Sequence, residues 1–330
     1  MAGQPHRTRD LTDPITRAPP ITRLLIGEVD MTAPSGRAIV VGVDGSPDAH
    51  RAAAWAAALA SRTRAPLRVV HALPEPLYLM TDVAVMGQGP AIARHRAVGE
   101  KVLDEASTEM RLRFPELDVH TDLVPGPTAP ALAAAGATAR MIVLGAGIPS
   151  GVGASAAGST AIELARHGTC PITVCRQQSE TLPDRRPVVV GIDDGDSSAA
   201  AVFSAFEFAH LFEAPVIAAH AWSPRHAAGN VTIPFLVDRD APEESEHDVL
   251  AAHLVQVRER YPGVAVTEVV EPTAPARLIL DRATDAQLVV IGSQGHGRLA
   301  GAILGSVSQH LLHHSPCPIM IHRARHHANT

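Results

Sequence analysis

Four positions late in the chain have the types and spacing to do chemistry together. Gly292-Ser-Gln-Gly295 is followed, after nine residues, by Gly305-Ser306, and Val307-Ser308 continue directly from it. A glycine at a strand end lets the backbone turn without a Cβ clash, and a second one three residues on lets peptide N–H groups come close to an anion. Gly305-Ser306 then offers a hydroxyl and the first amides of a helix, whose dipole favours negative charge. That chemistry is phosphate binding. A lone Gly-x-x-Gly is a frequent tight turn, but here an aliphatic run precedes the glycines and a helical pattern follows them. A dinucleotide fingerprint would belong in the first strand–helix turn, which reads Asp193-Asp194-Gly195 instead.

The elements that must position this loop are written twice. Val41-Gly42-Val43-Asp44 matches Val190-Gly191-Ile192-Asp193, and His71-Ala72 matches His220-Ala221. Pro127-Thr128-Ala129-Pro130-Ala131 recurs letter for letter as Pro272-Thr273-Ala274-Pro275-Ala276. Gly158-Ser159 recurs as Gly305-Ser306, Cys170-Pro171 as Cys317-Pro318, and Arg176 as Arg323. Markers in one order at a near-constant offset mean duplication and fusion. The expected divisions are an extension over 1–36, a first unit over 37–177, a linker over 178–186, a second unit over 187–323 and a tail over 324–330.

Within the second copy, aliphatic runs at Pro187–Ile192, Pro215–Ala221, Val264–Val270, Gln287–Gly292 and Pro318–His322 read as strands buried on both faces. Helical patterns over Ser197–Phe212, Glu243–Tyr261, Ala274–Thr284 and Ser306–His314 separate them. Strands alternating with helices imply right-handed crossovers, hence an α/β fold with two doubly wound, Rossmann-like, five-stranded parallel sheets in tandem. With strand order 3-2-1-4-5, Asp193 ends the first strand in the same crevice as the glycine loop. Leu73–Pro90 and Trp222–Pro242 read as irregular flaps after each second strand. The last strands, Pro171–Arg176 and Pro318–Arg323, are exposed edges in that order, and the simplest protection is for them to pair with each other.

Composition removes several function classes. The formal net charge is −6 with no long basic run, which argues against a nucleic-acid partner. Lys101 is the only lysine and lacks the context of a Walker A loop or a kinase strand. No apolar run approaches the ~20 residues of a membrane span. Residues 1–36 hold Arg, Pro and Thr without a sustained apolar stretch, so they read as disordered and not as a signal peptide; translation start is open between Met1 and Met31. Cys170, Cys175 and Cys317 fit no zinc or disulfide pattern and read as reduced, buried thiols of a cytoplasmic protein. Of the 18 histidines, His310, His313 and His314 share a helix face without an acidic or cysteine partner, so a packing or solvated role is expected and no metal site. Trp55 lies on the apolar face of the first helix, as core.

Val41-Gly42-Val43-Asp44-Gly45-Ser46, His71-Ala72, the Gly292-x-x-Gly295 spacing to Gly305-Ser306, and Cys317-Pro318 together resemble a tandem universal stress protein of the ATP-binding type. The resemblance runs from about Gly36 to Arg323. It implies that Gly191, Ile192, Asp193 and Ala219 meet base and ribose. It assigns Gly292, Gln294, Gly295, Gly305, Ser306, Val307 and Ser308 to ribose and phosphates. It also implies that His71 and His220 frame the crevices and that the two last strands meet.

The first copy departs from that pattern. Gly145 and Gly158-Ser159 keep the spacing, but Ile148 and Pro149 stand where the second glycine should be, which threatens close phosphate approach. Gly147, Gly151 and Gly153 offer a re-routed loop, and Thr160-Ala161 replace the Val-Ser pair. The corresponding residues are Gly42, Val43, Asp44, Val70, Gly145, Gly147, Gly158, Ser159 and Thr160.

The expected function is an adenine-nucleotide-binding regulator in the stress response, taking ATP, AMP or ADP, with Asp193 binding ribose or a Mg²⁺ that bridges phosphates. A homodimer and a regulatory protein partner are expected with it. Two alternatives stand beside it: a slow ATPase or nucleotidyl-transfer enzyme, and a scaffold with degenerate crevices. No acid–base–nucleophile constellation marks an enzyme in the sequence.

Overall fold

The computed structural model describes residues 37–73, 89–146, 157–176, 182–193, 195–222, 240–293 and 304–323. The extension at 1–36, most of both flaps, residue 177, residues 178–181 of the linker and the tail at 324–330 lie outside the described residues.

The first copy runs β1 (Ile39–Gly42), α1 (Pro47–Thr63), β2 (Leu67–Leu73), α2 (Gly89–Arg113), β3 (Val119–Pro125), α3 (Thr128–Gly136), β4 (Met141–Ala146), α4 (Ala157–His167) and β5 (Ile172–Arg176). The second runs β6 (Val188–Ile192), α5 (Asp196–Phe212), β7 (Val216–Ala221), α6 (Asp240–Arg260), β8 (Val266–Glu271), α7 (Pro275–Ala283), β9 (Leu288–Gly292), α8 (Ser306–His314) and β10 (Ile319–His322). Both copies have the expected 3-2-1-4-5 strand order.

Local chemistry sets the helix ends. Ser46 caps α1, its hydroxyl accepting from Ala49 N at 3.2 Å, and Pro47 opens the first turn. Arg64 closes α1 and Glu213 closes α5, both left-handed, at φ 54° and 53°.

The two sheets are one. Their order is β3-β2-β1-β4-β5-β10-β9-β6-β7-β8, parallel throughout except where β5 meets β10 antiparallel. At that seam Ile172 lies opposite Ile321, Thr173 opposite Met320 and Val174 opposite Ile319, so pairing begins past Pro171 and Pro318. One layer of helices, α1, α2, α5 and α6, covers one face with Trp55, Met110, Phe206 and Leu254 in a shared core. The other face carries α3, α4, α7 and α8 with Leu132, Leu164, Ile279 and Leu311. Each core runs unbroken through both copies.

Side chains reinforce the seam. Trp55 is buried, but against the other copy: it stacks on Phe208 of α5. Arg62 donates to Leu211 O at 2.7 Å. Arg176 donates to Leu312 O near the end of α8, and Arg323 reaches Gly168 O just past α4 at 3.4 Å. Each copy thus places a cation at the negative end of the other's last helix. Gln287 holds the last part of the linker, accepting from Asp184 N at 2.7 Å and donating to Asp184 O and Arg186 O.

The third strands correct the expectation of burial on both faces. β3 and β8 are the true edges of the ten-stranded sheet, and most of their residues are half-buried or exposed. Charge protects them: Asp122 pairs with Arg68, and Glu268 with Arg258.

Candidate functional site

In the second copy, β6 and β9 are parallel neighbours whose following helices leave to opposite faces, α5 into one layer and α8 into the other. Such a reversal opens a crevice at the carboxyl ends of the strands. Asp193 stands there, directly after β6, and its geometry is tightly held. Its Oδ1 accepts from Gly195 N at 2.9 Å and from Ser198 Oγ at 2.5 Å, while its own N–H donates to Ser198 Oγ at 3.0 Å.

Across the crevice, α8 starts at the end of β9. Gly305 is its N-cap and makes no side-chain hydrogen bond to the first-turn amides, and a helix start of this kind suits an anion. Gly305 N donates to Ser293 O at 2.9 Å, and Ser308 Oγ donates to Gly292 O at 3.0 Å, tying the helix start to the strand. Ser306 is exposed, whereas Ser308 is buried with its proton committed to that carbonyl. Gly292 is needed for packing as well: a Cβ there would lie 2.2 Å from Ser197 Oγ in the first turn of α5. Gly191 likewise admits Ile279, whose Cδ1 would sit 2.6 Å from an added Cβ.

Behind Asp193 lies His220, 2% exposed. Its Nδ1 is 2.9 Å from Ile192 O, and a carbonyl only accepts, so Nδ1 carries the hydrogen. Its Nε2 is 2.8 Å from Glu246 Oε2 on α6. Ala219, just before it, is buried in β7 opposite Gly191.

Among its described residues the first copy repeats these strand ends with fewer side-chain supports. His71 Nδ1 donates to Val43 O at 2.7 Å, as its counterpart does. Asp44 is exposed and accepts from Ser46 N at 2.9 Å, and Ala49 occupies the place of Ser198. Opposite the far side of the His71 ring stands Gly99, where a Cβ would lie 2.9 Å from Cδ2. Gly42, Val43 and Val70 sit in or beside β1 and β2 as expected, Val70 fully buried. Gly145 packs on the start of α1, while Gly158, Ser159 and Thr160 fall in the first turn of α4.

Gln294 and Gly295, like Gly147, Ile148, Pro149, Gly151 and Gly153, lie outside the described residues. The sequence reading missed Ser198 and Glu246. Ser198 had a local signal, a hydroxyl five residues after Asp193 in the first turn of a helix. Glu246 had none. Among the described residues no three His, Cys, Asp or Glu side chains are grouped to hold a metal ion, and the exposed rings of His310 and His314 simply stack at 4.2 Å.

The model of the universal stress protein family matches residues 36–176 and again 184–323. The chain belongs to the universal stress protein family. Universal stress protein Rv2623 of Mycobacterium tuberculosis is 32% identical over 295 residues, covering 88% of this chain and 97% of that protein. Universal stress protein Rv2005c of the same organism is 34% identical over 295 residues, covering 86% and 96%. A universal stress protein from Archaeoglobus fulgidus shares the fold, with a TM-score of 0.65 at 17% identity over 91% of this chain and 99% of its own. This universal stress protein is therefore a tandem member, with its two matched segments joined through one sheet. None of its described helices is long and apolar enough to cross a membrane.

Proposed function

We propose that this universal stress protein is an adenine-nucleotide-binding regulator whose second crevice holds one nucleotide per chain. One observation carries the reading. The glycine-capped α8 opens at the end of β9, beside a carboxylate that Ser198 and Gly195 hold at the end of the adjacent β6. An anion receptor next to a fixed hydrogen-bond acceptor suits a phosphate joined to a ribose.

In this reading Asp193 accepts from ribose hydroxyls, and Gly191, Ile192 and Ala219 line the base side. The first-turn amides of α8 at Ser306 and Val307, with the Ser306 hydroxyl, Gly292, Gln294 and Gly295, take the phosphates. Ser308 acts by fixing Gly292 and the start of the helix. If a Mg²⁺ accompanies the phosphates, Asp193 is the residue that would help hold it. Nucleotide occupancy would then be read by a protein partner in the cytoplasm.

The test is to denature the purified protein and identify released ligand by mass spectrometry, then titrate stripped protein with ATP and AMP by calorimetry. Close to one adenine nucleotide per chain is expected. Neither released nucleotide nor binding heat would leave the protein a scaffold whose surface, not its crevice, does the work.

A further inference from the structure

Among the described residues, the two crevices differ in two side chains that support the strand end, Ser198 and Glu246. We propose that Glu246 is a positioning residue of the second crevice. Acting through His220, it holds the Ile192–Asp193 peptide in the geometry that receives ligand, and among the described residues the first crevice has no such support. The inference rests on the nucleotide-binding reading of that crevice.

The peptide between Ile192 and Asp193 is held from both ends. Its carbonyl accepts from His220 Nδ1 at 2.9 Å, and its N–H donates to Ser198 Oγ at 3.0 Å. Ser198 also donates to the Asp193 carboxylate, so rotation of this one peptide would move the acceptor that faces the crevice. The His220 ring is therefore a strut, and a strut needs its far end fixed. Glu246 supplies that, with Nε2 and Oε2 2.8 Å apart and side-chain exposures of 2% and 24%. One proton must lie between those two atoms, since two facing lone pairs at that distance would repel. Burial strengthens the contact, because little water competes for either partner. Glu246 thereby ties α6 to the end of β6 through His220.

The first copy shows what is lost without it. His71 makes the same bond to Val43 O, but Gly99 faces its ring and has no side chain with which to hold it. Ala49 replaces Ser198, so the Asp44 amide has no such hydroxyl at its side, and Asp44 is exposed. Both additional supports belong to the copy with the complete glycine loop. A pre-organised acceptor gains affinity because less ordering remains to be done on binding.

The experiment compares wild type, Glu246→Ala and Glu246→Gln in the full chain. Calorimetric titration with ATP and magnesium should show three- to tenfold weaker binding in Glu246→Ala. Glu246→Gln should return to within twofold of wild type, because an amide can donate to or accept from Nε2. Hydrogen exchange should show the Asp193 amide opening at least tenfold faster in Glu246→Ala and not in Glu246→Gln. The His220 Nδ1 resonance, which reports the bond to Ile192 O, should shift in Glu246→Ala and stay near wild type in Glu246→Gln. Unchanged affinity and unchanged exchange in Glu246→Ala would overturn the inference, as would failure of the glutamine to restore either. If wild type binds no nucleotide, the functional reading falls by itself, and positioning of Asp193 is still decided by the exchange and nitrogen measurements.

Discussion

Trp55 of α1 stacks on Phe208 of α5 with ring centroids 5.7 Å apart and planes 8° from parallel. The two residues come from different copies of the repeat. Trp55 is 3% exposed and Phe208 fully buried, so the stack is part of a core that neither copy completes alone. It explains why the halves should unfold as one unit: an aliphatic seam below and an aromatic pair above join them.

Removing the stack should therefore destabilise the whole chain. Trp55→Ala leaves a large cavity at the junction and is expected to cost about 3–5 kcal/mol. Equilibrium denaturation should show a lower midpoint with the transition still single. An unchanged midpoint would mean the junction tolerates the cavity and is not held by this pair.

Charge placed in the strand seam should separate the halves. Ile172 and Ile319 are 1% and 0% exposed in the antiparallel pair. Ile172→Asp with Ile319→Asp buries two carboxylates without partners, which the seam cannot accommodate. Small-angle scattering should show an expanded particle, and circular dichroism an early or split melt. A double variant that melts and scatters like wild type would show that the seam does not hold the halves together.

The glycine loop should be sensitive to a branched side chain. Gly295→Val is expected to weaken ATP binding more than tenfold, about 1.4 kcal/mol or more, by keeping the backbone out of phosphate range. Wild-type titration should give one ATP per chain, since Ile148 and Pro149 interrupt the first loop. A stoichiometry of two would show that the neighbouring glycines of the first copy suffice. Unchanged affinity in a folded Gly295→Val protein would remove the loop from the mechanism.

Acid should unfold the protein partly through one histidine. Burial pushes the His322 imidazole down to about 4 from an ordinary value of 6.5. Above 6.5 the ring is neutral whether folded or not, and it leaves stability unchanged. As pH falls from 6.5 towards 4, the unfolded chain takes up a proton that the native state refuses, so stability drops by about 3 kcal/mol from this group. His322→Gln should flatten that part of the stability-versus-pH curve; an identical slope would assign the acid loss to other groups.

Thiol chemistry should distinguish the cysteines by burial. Cys175 is 2% exposed and Cys317 4%, and burial holds both thiols well above their ordinary range, Cys317 at about 11. At pH 8 the native protein should leave these two unmodified by iodoacetamide over hours, with rapid labelling after unfolding. Fast labelling of either in the native state would show that the seam opens.

Much of this protein was legible in the sequence. The duplication, the ten strands and the crossover topology follow from short-range patterns. Continuous aliphatic runs need burial on both faces, and helical spacing between them leaves one parallel arrangement with the usual handedness. Ser306–His314 forms a helix with the bounds expected, because Gly305 starts it and Ser315-Pro316 stops it. Asp193 and Gly292 could be named because they follow or end a strand, and Gly305 because it opens a helix, whereas Gly191 and Ile192 are named by the family resemblance.

What only the tertiary structure decided concerns partners from distant elements. Val264–Val270 reads as a strand buried on both faces, yet the observed β8 is an outer edge, since a strand's own pattern does not say which neighbours it has. Trp55 announced burial and not the copy that would bury it. Glu246 meets His220 across a crossover whose helix register is set by packing on the sheet, not by local residues. A sequence fixes the periodicity of each element directly; contacts between elements depend on how twisted layers settle against each other, and that is a property of the whole fold.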